Sequence, residues 1–350
     1  MLALSPIGLS AGGDYEKPDL PHSTHAVRRM EPTFSVTAGI HGDVFPAFAN
    51  YASLQNPDQR NWSVISVKVS NSSSSEQRYR ISVSVPGWSD EEIQVVSVAA
   101  ASSHSFSFAP SFFPRLYSNH EIAAATAQIK ITDLAGNPVY HSTVPLRLRA
   151  AEDMLWGAHF EYANFIASWV TPHDPRVEEV LSKAKELMPG RRLPGYEDWK
   201  DAAGQEIETR LQAKAIYLAL QRQRLSYVKS SLTFGANAGI SERIRTPRES
   251  IRESSANCID GSVLFASAFE NLAMDPVIVL VPGHAYVGVK LSDKADDYLY
   301  IDSSLTGRVS FDAAVNIAQR ALAKYQASQV DRISIHDARQ AGIYPMPELQ

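Results

Sequence analysis

The spacing of the apolar residues changes near position 150, and that change constrains the fold more than any single motif. From Thr33 to about Arg149 they recur at every second position. Ser63–Val69 and Tyr79–Val85 alternate polar with β-branched residues, the mark of strands with one buried face. The run 71–75 between them reads as a polar turn. Ala127–Thr132 and Val139–Val144 flank Asp133-Leu134-Ala135-Gly136-Asn137-Pro138, whose residue types predict a hairpin connection. No long helical pattern interrupts this stretch. Residues 31–150 are therefore expected to form an all-β, immunoglobulin-like sandwich. The segment clusters no chemistry, which suits recognition or spacing better than catalysis. Residues 1–30 carry glycines, prolines and scattered charges without periodicity, and read as a flexible arm.

Past position 150 the period becomes helical, then alternates with strands, so residues 151–350 are expected to be an α+β domain. Asp174-Pro175 is a cap followed by proline at the first helical position, and Val177, Val180, Leu181, Ala184 and Leu187 form the stripe behind it. A charge-rich helix is predicted over about Glu206–Arg224. Thr246-Pro247-Arg248-Glu249 is a capping box that starts a short helix. Cys258 to about Ala273 is apolar nearly all round, hence a buried helix. Strands are predicted at Val277–Val281, Ala285–Leu291, Tyr298–Asp302 and Arg332–Ile335, with a helix over about Phe311–Gln326.

Composition narrows the function. Thirty-three basic against 38 acidic residues, a net charge of −5, argue against nucleic acid or an anionic membrane as partner. No run approaches the roughly 18 apolar residues of a membrane helix, and the amino terminus is a poor secretory signal, so a cytoplasmic location is expected. One cysteine excludes an internal disulfide and any multi-thiolate zinc site within the chain; no metal or cofactor is expected. The question becomes whether that cysteine is an inert core residue or a nucleophile.

Cys258 opens the buried helix, where unpaired N–H groups and the positive end of the helix dipole favour a thiolate. His284 follows Pro282-Gly283 at a predicted strand start, which places its ring at a sheet edge. Asp302 ends an otherwise apolar strand, where a carboxylate needs a partner such as a histidine N–H. Each signal is weak alone. In order they form a Cys–His–Asp design: nucleophile on a helix start, then base, then orienting carboxylate on successive strands.

These residues, with the stretch Asn257–Gly288 and its Cys-x-Asp-Gly helix head and His-Ala-aromatic strand, resemble the transglutaminase-like superfamily, a papain-related fold, over about residues 160–340. The resemblance implies Cys258 as nucleophile, His284 as general base and acid, Asp302 as orienting group, and an acyl-thioester formed from an amide. The sequence departs from the common pattern at Asn257, where a glycine-containing approach is frequent. Tyr286 stands where Trp is usual, and Ser303-Ser304 follow the Asp in place of Pro-Thr.

The expected activity is that of a cysteine-dependent hydrolase on a protein or peptide amide, a peptidase or isopeptidase, with the sandwich recognising a protein partner. Acyl transfer to an amine and a non-catalytic peptide-binding module are the alternatives. No acidic calcium-loop signature favours the transferase. The Cys258 N–H is the natural first oxyanion donor, and Asn257 or Tyr227 is a candidate second. Asp260 reads as a first-turn carboxylate on the helix dipole. Arg243, Arg245 and Arg248 read as a solvated face, with a carboxylate-binding rim as the sharper option. Trp156, Trp169, Trp199 and Tyr162 either line a groove or fill the core.

Overall fold

The computed structural model describes residues 31–229 and 240–347. The expected amino-terminal arm, residues 1–30, lies outside the described residues. The chain is mixed α/β, with its strands distributed over several sheets.

The first part contains β1 (Thr33–Ala38), β2 (Asp43–Val44), helix α1 (Pro46–Ser53), β3 (Ile65–Asn71), β4 (Gln77–Ser84), β5 (Glu92–Val98), β6 (Ser102–Phe108), β7 (Ala123–Thr132) and β8 (Pro138–Leu148). A three-stranded sheet, β1-β3-β6, and a five-stranded sheet, β2-β8-β7-β4-β5, share one apolar core. Ile65 and Val67 from one sheet and Ile81, Val83, Ile129 and Ile131 from the other are fully buried in it. Burial alternates along β3 and β4, as the period-two pattern requires of a strand with one face inward. The expected hairpin is present. Asp133 accepts from the Asn137 N–H, and Gly136 takes φ +88°, a left-handed conformation that glycine adopts without steric cost.

Helix α1 departs from the all-strand texture expected of this stretch. Proline at its first position starts it, and Phe48 stacks on Phe165 at 4.0 Å between ring centres. At eight residues it is too short for a period to stand out; contacts beyond position 150 hold it.

The second part runs β9 (Asp153–Gly157), α2 (Pro175–Lys185), α3 (Ala202–Arg222), β10 (Ser226–Tyr227), β11 (Ile240–Arg243), α4 (Pro247–Glu253), β12 (Ser255–Ala256), α5 (Cys258–Asn271), β13 (Pro276–Val281), β14 (His284–Ser292), β15 (Ala295–Ile301), α6 (Phe311–Leu322), β16 (Asp331–Ser334) and α7 (Ile335–Gln340). Asp174 caps α2, and Asp201 starts α3 four residues before the periodic pattern becomes visible. Four antiparallel strands form the sheet β15-β14-β13-β16. Ile278, Leu280, Ala285 and Val287 pack toward α5, while Val277, Val279, Val281 and Tyr286 pack toward Ala318 of α6. Both faces are covered, which is why β13 reads in sequence as an unbroken apolar run.

Candidate active site

Three elements bring Cys258, His284 and Asp302 together. Asn257 caps α5: its side chain accepts from the Asp260 N–H at 2.8 Å, and Asp260 accepts in return from the Asn257 N–H at 3.1 Å. Asp260 also accepts from the Arg245 backbone at 2.9 Å and pairs with its guanidinium at 3.1 Å. Burial raises the Asp260 carboxyl pKa against the pull of those donors. The helix head is thus locked, with Cys258 as its first residue, half-buried, at the positive end of the dipole. Asp260 has the first-turn role expected of it, with Arg245 as an added partner.

His284 is the first residue of β14, just past the Pro282-Gly283 turn, with Gly283 at φ +78° and Val281 paired opposite. Asp302 follows β15, whose pairing with β14 reaches Val287 and Ile301, so both side chains emerge at one end of the sheet. His284 Nε2 lies 3.2 Å from Asp302 Oδ1. Its N–H is not aligned on that oxygen, so the contact is an ion pair more than a directed hydrogen bond. Cys258 is the other group near enough to act on the ring. Burial opposes the imidazolium, but Asp302 and Cys258 outweigh it and raise the His284 pKa to about 10. Burial likewise opposes the Asp302 carboxylate, and contacts with His284 and Ser304 hold its pKa below the usual value.

Two features around the three residues had no functional reading in the sequence. Ser304 donates to Asp302 Oδ1 from its hydroxyl at 2.6 Å and its backbone at 3.1 Å, fixing the carboxylate. Asp302-x-Ser304 is an Asx-type turn pattern, and that was the available signal. Ser303 donates to the Cys258 carbonyl at 3.2 Å. That approach requires Gly261, since a Cβ there would sit 2.6 Å from Ser303 Oγ. The Ser303-Ser304 departure therefore ties the Asp302 turn directly to the cysteine helix.

The remaining candidates fall out unevenly. Tyr286 is buried and meets the His284 ring edge-on at 4.7 Å. Tyr227 is exposed on β10, paired in parallel with Ala256 of β12. Burial first, then the charge of nearby Cys258, raises its phenol pKa. The Asn257 side chain is buried in its capping role. The arginines are partly exposed and each is paired with a carboxylate: Arg243 with Glu152 at 3.2 Å, Arg245 with Asp260, and Arg248 with Asp174 at 2.9 Å. Trp156 and Trp169 are core residues, Tyr162 packs against that core, and Trp199 is exposed, so the four form no groove.

A thiol at a helix start, an imidazole whose pKa is raised, and a clamped carboxylate are the kinds of group that covalent chemistry through a thiol uses. Among the described residues no helix is long and apolar enough to cross a membrane. No protein-family model and no curated protein matches the chain. Among solved structures, a FixG-related protein from Vibrio parahaemolyticus is similar at 14% identity over 34% of this chain and 95% of its own, with a TM-score of 0.20, a likeness too loose to bear on chemistry.

Proposed function

We propose that this chain is a cysteine-dependent hydrolase of transglutaminase-like, papain-related type. Its immunoglobulin-like domain recognises a protein partner, its catalytic domain cleaves a peptide or isopeptide amide, and it works in the cytoplasm. The observation that carries the reading is one imidazole in contact with both a helix-start thiol and a buried carboxylate.

Cys258 Sγ attacks the amide carbonyl carbon, and the Cys258 N–H supports the developing oxyanion. The imidazolium of His284 protonates the leaving amine as the C–N bond breaks, leaving an acyl-thioester and a neutral ring. That ring then takes a proton from water, whose oxygen attacks the thioester. The C–S bond breaks, a carboxylic acid departs, and the thiolate–imidazolium pair is restored. Asp302, held by Ser304, keeps the ring aimed throughout.

Iodoacetamide alkylation tests the reading, because only the thiolate reacts quickly. Wild-type Cys258 is expected to be modified at pH 7 at least tenfold faster than in His284→Ala. Equal rates in two folded proteins overturn the proposal. With a glutamine protein and a fluorescent alkylamine, amine incorporation in place of amide hydrolysis assigns the same thioester to a transferase.

A further inference from the structure

We propose that a cavity where the two parts of the molecule meet binds a divalent transition-metal ion through His120, Glu152 and Glu249. The cavity, of about 290 Å³, is separate from the Cys258 site. His120 comes from the segment before β7, Glu152 from the turn between β8 and β9, and Glu249 from the first turn of α4. One ligand atom from each lies within 4.8 Å of the others, and His120 Nδ1 is already in contact with Glu152 Oε1. An ion with ligand distances of about 2.0–2.2 Å holds neighbouring ligands about 3.3–3.5 Å apart in tetrahedral geometry, so small side-chain rotations close the set.

The surroundings orient these groups as outer partners orient metal ligands. Arg243 Nη2 takes Glu152 Oε2 at 3.2 Å and the His120 carbonyl at 2.8 Å, which leaves Glu152 Oε1 toward the imidazole. Glu249 Oε2 accepts from the Thr246 N–H at 2.8 Å and hydroxyl at 3.1 Å, which leaves its other oxygen for the ion. Each carboxylate thus has one oxygen anchored by protein and one available.

An independent observation points to an occupant. Ser168, Trp169 and Thr171 line the same cavity, and their Oγ, Nε1 and Oγ1 atoms are buried and make no hydrogen bond among the described residues. A buried indole N–H normally finds an acceptor, and leaving one without is costly. Three protein ligands leave an open position on the ion for water or an oxyanion, and such an oxygen is what this wall lacks. The ligand set contains no thiolate, so a single cysteine in the chain does not bar it.

Calorimetric titration of the metal-stripped full chain with Zn²⁺ tests the site. Cys258→Ala is the background, so that the thiol of the other site takes no metal. One ion per chain is expected. Affinity should fall at least tenfold in His120→Ala, which changes an exposed ring, and in Glu249→Gln, which preserves the capping box because glutamine serves there as well as glutamate. Undiminished affinity in both variants overturns the proposal, as does the absence of saturable binding. Iodoacetamide reactivity of the metal-free wild type reads the Cys258 site separately, so either proposal can fail without the other.

Discussion

The two parts of the molecule treat polar groups in opposite ways. In the first part, strands such as β3 bury one face and show the other to solvent, so polar side chains spread evenly over the outside. In the second part, β13 and β14 are buried on both faces beneath α5 and α6, and the sheet accommodates polar groups at its ends. His284 and Asp302 stand at one such end, where the head of α5 delivers Cys258. A sheet covered on both sides concentrates its chemistry at an edge; a half-exposed sheet dilutes it.

Truncating each core breaks the comparison hardest. Phe265→Ala in α5 and Ile131→Ala in β7 remove fully buried side chains, and each is expected to cost about 2–5 kcal/mol in chemical denaturation. Below its melting temperature only Phe265→Ala should slow alkylation of Cys258, because its helix carries the thiol. Equal slowing by Ile131→Ala would mean that the two cores act as one.

The next effect belongs to pH. The His284 pKa is raised, so the stability its charge contributes is fully present below its ordinary value of 6.5 and is lost as pH rises through about 10. The stability advantage of wild type over His284→Gln should therefore shrink by on the order of 2–4 kcal/mol across that window. A pH-independent difference would remove the charged contacts to Asp302 and Cys258 from the account.

Smaller effects sharpen the picture around α5. Gly261→Ala should cost about 1–3 kcal/mol by pushing Ser303 away from the helix, with slower alkylation as a second readout. Ser304→Ala should cost about 1 kcal/mol and raise the Asp302 pKa toward its ordinary range, seen as an earlier loss of stability on acidification. An unchanged acid limb would show that Ser304 does not hold the carboxylate.

Much of the site's scaffold is legible along the chain because its signals are local. Asn257 and Asp260 announce the start of α5 by their spacing, and Pro282-Gly283 announces the turn before His284. Asp302 shows itself as a carboxylate closing an apolar strand. The grip of Ser304 was legible in principle, since it acts two residues from its partner. The seat of α1 was not, because its partners include Phe165, more than a hundred positions away. The arginines read as solvent-facing because a sequence shows charge without showing its counter-ion: Arg248 finds Asp174, and Arg243 finds Glu152.

The sequence by itself determined the change of period near position 150, the caps of the helices and the order of cysteine, histidine and aspartate along the chain. These depend on residues within a few positions of one another, where backbone geometry translates spacing directly into structure. Only the tertiary structure decided that His284 touches both Cys258 and Asp302, that Gly261 admits Ser303, and that His120, Glu152 and Glu249 converge on one cavity. Such contacts join distant positions, and their energy comes from closing the chain around a packed core, which no local pattern encodes.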